Sequence, residues 1–249
     1  MSSLPIGAGL FSVRDYLKQD MPGTLKQVAA MGFDGVEFFG DYHAYTPEAV
    51  NAALKDAGLT LCGWHTGWEM LDEAHFDETV AFYKAVNNHF VIVPYYAAET
   101  LEDWKEFARQ LNSLKEKLTP HGMQVGYHNH NHEFKAAAGG QTPFDAIFDN
   151  VQPGVVMQLD TGNAMDGGAC PVAVLKAHPG LSTTIHLKPY SKADGFATMI
   201  GRDDTPWQEI FNLCEANGTT WYILEYEDAL YDQMEGLKLC IEGMRKLGK

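Results

Sequence analysis

The chain has no run of about 18 consecutive apolar residues, the length a helix needs to cross a bilayer, so no membrane-spanning helix is expected. Its first residues, Met1-Ser2-Ser3-Leu4-Pro5, lack the basic start and apolar stretch of a secretory leader, which makes a cytoplasmic location the expectation. Cations are scarce. Lys and Arg number 18 against 33 Asp and Glu, a net charge of −15 in 249 residues, and so acidic a chain has too little positive charge to line a nucleic-acid groove. Cysteine is scarce too. The four, Cys62, Cys170, Cys214 and Cys240, form no C-x-x-C pair, which argues against a disulfide scaffold and leaves them as reduced, small core residues. Nucleotide signatures are missing: there is no P-loop, and Gly7-Ala8-Gly9 has the first two glycines of a G-x-G-x-x-G motif but Ser12 in the third place. No linker, low-complexity segment or charge block divides the chain, so 1–249 reads as one domain.

What is present is an alternation that runs from end to end. Short β-type runs occur at 6–13, 35–39, 60–65, 90–94, 124–130, 155–160, 183–188 and 221–225. Between them lie stretches with helical spacing at 24–31, 47–57, 76–87, 101–118, 143–149, 171–177, 207–216 and 230–247. Thr46-Pro47 and Thr205-Pro206 look like helix starts, and Gly32, Gly58, Gly122 and Gly218 like helix stops that use a left-handed cap. Eight strands alternating with eight helices at about 31 residues per unit predict an α/β fold, a (β/α)₈ barrel of parallel strands.

In such a barrel the chemistry lies where strands end on the C-terminal face. The residues finishing the apolar runs are Glu37, His65, His128 with His130, Asp160, His186, and Glu225 with Glu227; Glu133 follows just beyond strand five. Side chains alternate along a strand, so His128 and His130 share one face and Tyr127 and Asn129 the other. Each residue alone has an ordinary explanation: a strand-end histidine as a hydrogen-bonded packing residue, Asp160 as the cap of a following helix. Together they do not. Carboxylates and imidazoles converging on one rim would repel and desolvate one another unless a cation sat among them. Oxygen donors with one or two imidazoles and no thiolate suit a divalent ion such as Mn²⁺, Mg²⁺, Co²⁺ or Zn²⁺ rather than a structural zinc. His65 is a candidate substrate contact, Trp64, Trp68 and Tyr95 are candidates to stack on a sugar ring, and His43 in a polar loop is expected to face solvent.

Six segments, in order along the chain, carry a resemblance. They are Phe11-Ser12-Val13-Arg14-Asp15, Gly32-Phe33-Asp34-Gly35-Val36-Glu37, the run from Gly126 through Tyr127-His128-Asn129-His130-Asn131-His132 to Glu133-Phe134, Gln158-Leu159-Asp160-Thr161-Gly162-Asn163, Ile185-His186-Leu187-Lys188 and Trp221-Tyr222-Ile223-Leu224-Glu225. With them the chain resembles the sugar phosphate isomerase/epimerase family, xylose isomerase-like TIM barrels related to inosose dehydratase and the ketose 3-epimerases.

The resemblance implies one divalent metal, most often Mn²⁺, held by ligands on strands five to eight. Asp160, His186 and Glu225 match the last three. At strand five the ketose epimerases carry a glutamate where this chain has His128, so either His128 takes that place or Glu133 reaches back; Glu133 is favoured, because a third anionic oxygen better offsets a hard cation. Two further departures are Pro189 after His-Leu-Lys and Gly201-Arg202-Asp203 near the seventh loop, both beside the expected substrate. The implied chemistry is removal of a proton next to a carbonyl to give a metal-stabilised enediolate. Returning the proton gives an isomerase or epimerase of a sugar, keto-sugar or sugar phosphate; losing a β-oxygen gives a lyase or dehydratase of a keto-sugar, keto-glycoside or inosose. Glu133, Glu225 and His128 are then the acid–base candidates, and His65, His130, Lys188, Glu37 and Asn163 the substrate contacts. Partners are a small carbohydrate substrate and, at most, further copies of the chain in a homo-oligomer. The abasic-site endonucleases share this barrel, but a net charge of −15 argues against them. A non-catalytic sugar-binding barrel would need no metal.

Overall fold

The computed structural model describes residues 4–136, 140–227 and 230–249. Among them are eight parallel strands: β1 (Ile6–Gly9), β2 (Gly35–Phe39), β3 (Thr60–His65), β4 (Phe90–Val93), β5 (Gln124–His128), β6 (Val156–Gln158), β7 (Thr184–Leu187) and β8 (Trp221–Leu224). Each pairs with its sequence neighbour from β1 to β6, while β1 also pairs with β8 and β8 with β7. That ring is the expected (β/α)₈ barrel, nearly closed. The remaining gap, between β6 and β7, is joined by an isolated bridge from Asp160 to His186. There the His186 N–H donates to the Leu159 carbonyl at 2.9 Å.

Ten helices lie among the described residues: α1 (Arg14–Gln19), α2 (Met21–Met31), α3 (Pro47–Ala57), α4 (Phe76–Ala85), α5 (Leu101–Leu118), α6 (Pro143–Phe148), α7 (Thr161–Asp166), α8 (Pro171–Ala177), α9 (Trp207–Ala216) and α10 (Gln233–Lys246). None is long and apolar enough to cross a membrane. The longest, α5, shows why such segments fold as they do. Trp104, Phe107, Ala108, Leu111, Leu114 and Leu118 recur at helical spacing and are buried. Thr100 Oγ1 accepts from the Asp103 N–H at 3.2 Å and Asp103 Oδ2 accepts from the Thr100 N–H at 3.0 Å, a reciprocal cap whose loss costs about 1 kcal/mol. Burying each large apolar side chain contributes about 1.5–3 kcal/mol, so packing against the sheet outweighs the cap.

Several expected boundaries move. The apolar run at 6–13 is a strand only to Gly9; Leu10–Val13 coils into a 3₁₀ turn that buries Leu10 and Val13 and leads into α1. Neither α1 nor α7 was expected, because six residues are too few to display a period. Thr46 caps α3 as expected, but the cap of α9 is Pro206 itself, without a side-chain bond from Thr205. Gly32, Gly58, Gly122 and Gly218 all take positive φ. Three cysteines are buried, while Cys170, at the start of α8, is exposed and no core residue.

Inside the ring, the lower layer is small and tightly packed. A Cβ at Gly7 would lie 2.7 Å from Cys62 Sγ, and one at Gly126 would lie 2.8 Å from Ile92 Cδ1. Above that layer the interior turns polar, with Glu37, His65, His128, Gln158, Thr184 and His186 all buried.

Candidate metal centre

The centre grows out of the strand ends. His186 on β7 and Lys188 just past its end are two residues apart and face the same way, toward the barrel axis. His186 Nδ1 sits 2.8 Å from Glu225 Oε2, just past β8, and its Nε2 sits 2.6 Å from Glu37 Oε2 on β2. A register shift between Val36 and Glu37 sets Glu37 opposite Gly63, where a Cβ would lie 2.7 Å from Glu37 Oε1. The glycine leaves the carboxylate its place, and the bulge aims it inward.

Gln158, two residues before Asp160, ties the layer together. Its Oε1 lies 2.7 Å from His65 Nε2 and 3.1 Å from His128 Nδ1, and its Nε2 donates to Glu37 Oε1 at 2.7 Å and to Thr184 Oγ1 at 3.2 Å. Sequence reasoning passed over this residue. A usable signal was there: a glutamine inside the apolar run 155–159 must find partners, and alternation puts it on the face of Asp160.

Asp160 is fully buried and divides its labour. Oδ1 accepts from the Asn163 N–H at 2.7 Å and caps α7, whereas Oδ2 has no hydrogen-bond partner among the described residues and faces His128 Nε2 at 3.9 Å. Donor atoms of His128, Asp160, His186 and Glu225 all lie within 4.8 Å of one another. Two nitrogens and two carboxylate oxygens, one of them an orphaned buried anion, fit a divalent ion.

Charge leads to the same conclusion. Lys188 Nζ donates to Glu225 Oε1 at 3.1 Å and to Glu227 Oε2, so these two carboxylates share one lysine while Glu37 and Asp160 stand beside them without it. Burial opposes charge on His186, yet Glu37 and Glu225 outweigh it and lift its pKa to about 10. Burial would raise Glu37 as well, but His65 and His186 beside it bring it down to about 2. Asp160 is pushed up to about 7 by burial, with Glu225 adding to the rise and Lys188 opposing it. Protons thus gather where an anionic pocket calls for a further cation. His128 goes the other way: burial first, then His186 and His65, push it well below the ordinary imidazole value and keep it a neutral donor.

The other expected site residues divide. His65 is in the same layer, with Nε2 3.0 Å from Glu37 Oε2, and its ring stacks on His186 at 5.2 Å. His130 is half-buried at the mouth with Nδ1 unpartnered among the described residues. The Asn163 side chain instead donates to the Asn129 carbonyl at 3.2 Å, which makes it a brace of the loop. Glu133 is not brought to the centre. Its Oε1 accepts from the Tyr127 hydroxyl at 2.5 Å and its Oε2 from the His130 N–H at 2.9 Å. Tyr127 lies on the outward face of β5 against Phe107, and the short turn after β5 carries Glu133 to that side. Lys188 is 2 % exposed, and a Cβ at Gly162 would lie 2.9 Å from its carbonyl oxygen, so it is no surface lysine. Among the aromatic candidates, Trp64 is core, stacked on Phe38 at 4.7 Å, and Trp68 packs on Phe107; Tyr95 is exposed beside His130. His43 is exposed, as expected.

A family model described as a xylose isomerase-like TIM barrel matches residues 25–247. The chain is similar to an inosose dehydratase of Clostridium tetani, at 28% identity over 149 residues, 51% of this chain and 48% of that one. It thus spans about half the length of this curated relative. Among solved structures, a sugar phosphate isomerase/epimerase from Parabacteroides distasonis superposes with a TM-score of 0.81 at 22% identity, covering 97% of this chain and 93% of that one. A D-psicose 3-epimerase does so with a TM-score of 0.67 at 14% identity, covering 98% and 99%. At these identities the structural likeness is one of fold.

Proposed function

Because this chain belongs to the xylose isomerase-like TIM barrels, we propose that it is a divalent-metal-dependent carbohydrate enzyme that takes a proton from the carbon next to a ketone or aldehyde. The observation that carries this reading is the unpartnered Asp160 Oδ2 among the converging donors of His128, His186 and Glu225. Those four are the proposed ligands, with Mn²⁺ the first candidate ion. Bound there, such an ion supplies a Lewis acid for the carbonyl and the hydroxyl beside it, which acidifies the neighbouring C–H. Glu225, held ionised chiefly by Lys188 and His186 against its burial, is the base. His128 takes the strand-five role, since Glu133 is occupied by Tyr127 and the His130 amide. Glu37 and Gln158 orient the imidazoles, and His65 and His130 line the approach.

Two fates of the proton are consistent with family membership. Return to carbon makes an isomerase or epimerase, the activity printed for several structural relatives; inversion at one carbon needs a second acid on the opposite face of the substrate, whereas a shift to the neighbouring carbon needs only one face. Elimination makes a lyase or dehydratase, as in the inosose dehydratase relative. The chain's own residues favour elimination over epimerisation: Glu133, the carboxylate expected for the opposite face, is turned away, whereas the Lys188 ammonium, 3.1 Å from the base, can hydrogen-bond a departing oxygen while the proton taken by Glu225 passes to it. Proton NMR in D₂O on Mn²⁺-loaded protein separates the fates with keto-sugars, keto-glycosides and inososes as substrates. Elimination gives a new vinylic signal and a released hydroxyl or sugar; isomerisation gives deuterium at carbon without loss. Neither change with any of these substrates would overturn the proposal.

A further inference from the structure

Beside the centre, between α1 and the segment leading into α10, lies a cavity of about 610 Å³ whose wall includes Glu227. Glu227 is the carboxylate on Lys188, and Lys188 is 3.1 Å from Glu225, so the cavity abuts the reacting end of the site through one shared side chain. Its volume is that of a small-molecule site. We propose that it is a second sugar subsite, which takes the non-reacting ring of an uncharged glycoside or disaccharide and rejects sugar phosphates. This deepens the proposed function and rests on it for the identity of the reacting ring.

Three features of the wall carry the inference. The first is charge: Asp15, Glu227 and Asp232 stand against Arg14, so an anionic ligand meets net repulsion while hydroxyl groups find acceptors. The second is the supply of polar groups that fix a polyol: the amide of Gln19 and the hydroxyl of Tyr231, with the second amide hydrogen of Gln233 and the lone pairs of the Tyr16 oxygen. Both tyrosines are half-buried and so present ring surface for the apolar face of a sugar. The third is preorganisation. Gln233 Nε2 donates to Asp15 Oδ2 at 2.8 Å, Gln233 Oε1 accepts from the Asp15 N–H at 3.1 Å, and the Tyr16 hydroxyl donates to Asp232 Oδ2 at 2.8 Å. These bonds cross between α1 and the start of α10 and hold the two walls at a set spacing. A lone monosaccharide bound at the Glu225 end would leave this volume filled with water.

Saturation-transfer NMR with the whole chain tests the subsite without turnover, using glucose, glucose 6-phosphate, methyl glucosides, maltose, cellobiose, sucrose and trehalose as probes. The expected result is that a disaccharide binds about tenfold more tightly than glucose, and glucose 6-phosphate more weakly than glucose. Gln19→Trp fills the cavity from its exposed rim and should remove the disaccharide advantage while metal content and Tm stay those of a folded barrel. If that variant fails to fold, Gln19→Lys serves: the added cation halves the wall's net negative charge and should weaken the discrimination against glucose 6-phosphate. Equal binding of glucose and every disaccharide, an advantage that survives the filled cavity, or tightest binding of glucose 6-phosphate to the wild type would each overturn the subsite. Because binding is read directly, a protein that binds disaccharides through this cavity yet exchanges no carbon-bound proton would refute the proposed function and leave the subsite standing.

Discussion

Two buried glutamates at the same end of the barrel, Glu225 after β8 and Glu133 after β5, have opposite surroundings. Glu225 sits between an imidazole and an ammonium, and although burial favours its neutral form, Lys188 and His186 bring its pKa well below the ordinary value. Glu133 faces a phenol and a backbone amide, and burial raises its pKa despite them. Both are strand-end carboxylates in the sequence. Only the cationic partners, which arrive from β7 and just past its end, keep one of them ionised and set it apart as the proposed base and ligand.

The sharpest way to break the comparison is to remove basicity from each in turn. Glu225→Gln keeps the shape and one coordinating oxygen, and should lower carbon–proton exchange by about 10²–10⁴ with Mn²⁺ saturating. Glu133→Gln should exchange within a few-fold of wild type, and the reverse ranking by NMR in D₂O would return the catalytic role to Glu133. Next in size is Lys188→Met, which leaves Glu225 and Glu227 without their shared cation and should cost about 3–5 kcal/mol of stability in urea unfolding. No change in the midpoint would mean that the two carboxylates are already neutralised by other means.

A third test uses pH. Asp160 and His186 both have folded-state pKa values raised above their ordinary ones, to about 7 and about 10. The stability each contributes to the metal-free protein is full at low pH and is lost as pH rises through those values, whereas Glu37, lowered to about 2, loses its contribution only in acid. Metal-free protein should therefore fall in Tm between pH 5 and 8, about where Asp160 gives up its proton, and Mn²⁺ should raise Tm more at pH 8 than at pH 5. An equal gain at both values would show that proton release is not linked to metal uptake. The smallest effect is expected at Tyr127→Phe, which strips one donor from Glu133 and should cost about 1–3 kcal/mol without touching exchange.

How much of this was readable beforehand follows the same divide. All eight strands and the inward direction of His186, Lys188 and Asp160 follow from alternation, because a two-residue period survives any packing. The path of the chain after His130 does not. Whether Glu133 curls into the mouth or behind β5 depends on the turn and on Tyr127 waiting outside, and neither leaves a periodic trace. Gln158 shows the converse: its direction was legible, but an uncharged amide gave no reason to look until its four bonded partners on four other strands could be seen together.

The gap between β6 and β7 puts the clasp of the ring and two of the proposed metal ligands in the same pair of residues. Where every other neighbouring pair of strands shares a ladder, this one has a single bridge, Asp160 to His186, beside the bonds that Thr161 Oγ1 exchanges with the Lys188 backbone. Opening of this seam would scatter the donor set with it. An amide-exchange measurement at His186 would read the free energy of both, and a substitution that loosens the seam should lower Mn²⁺ affinity even where it touches none of the four donors.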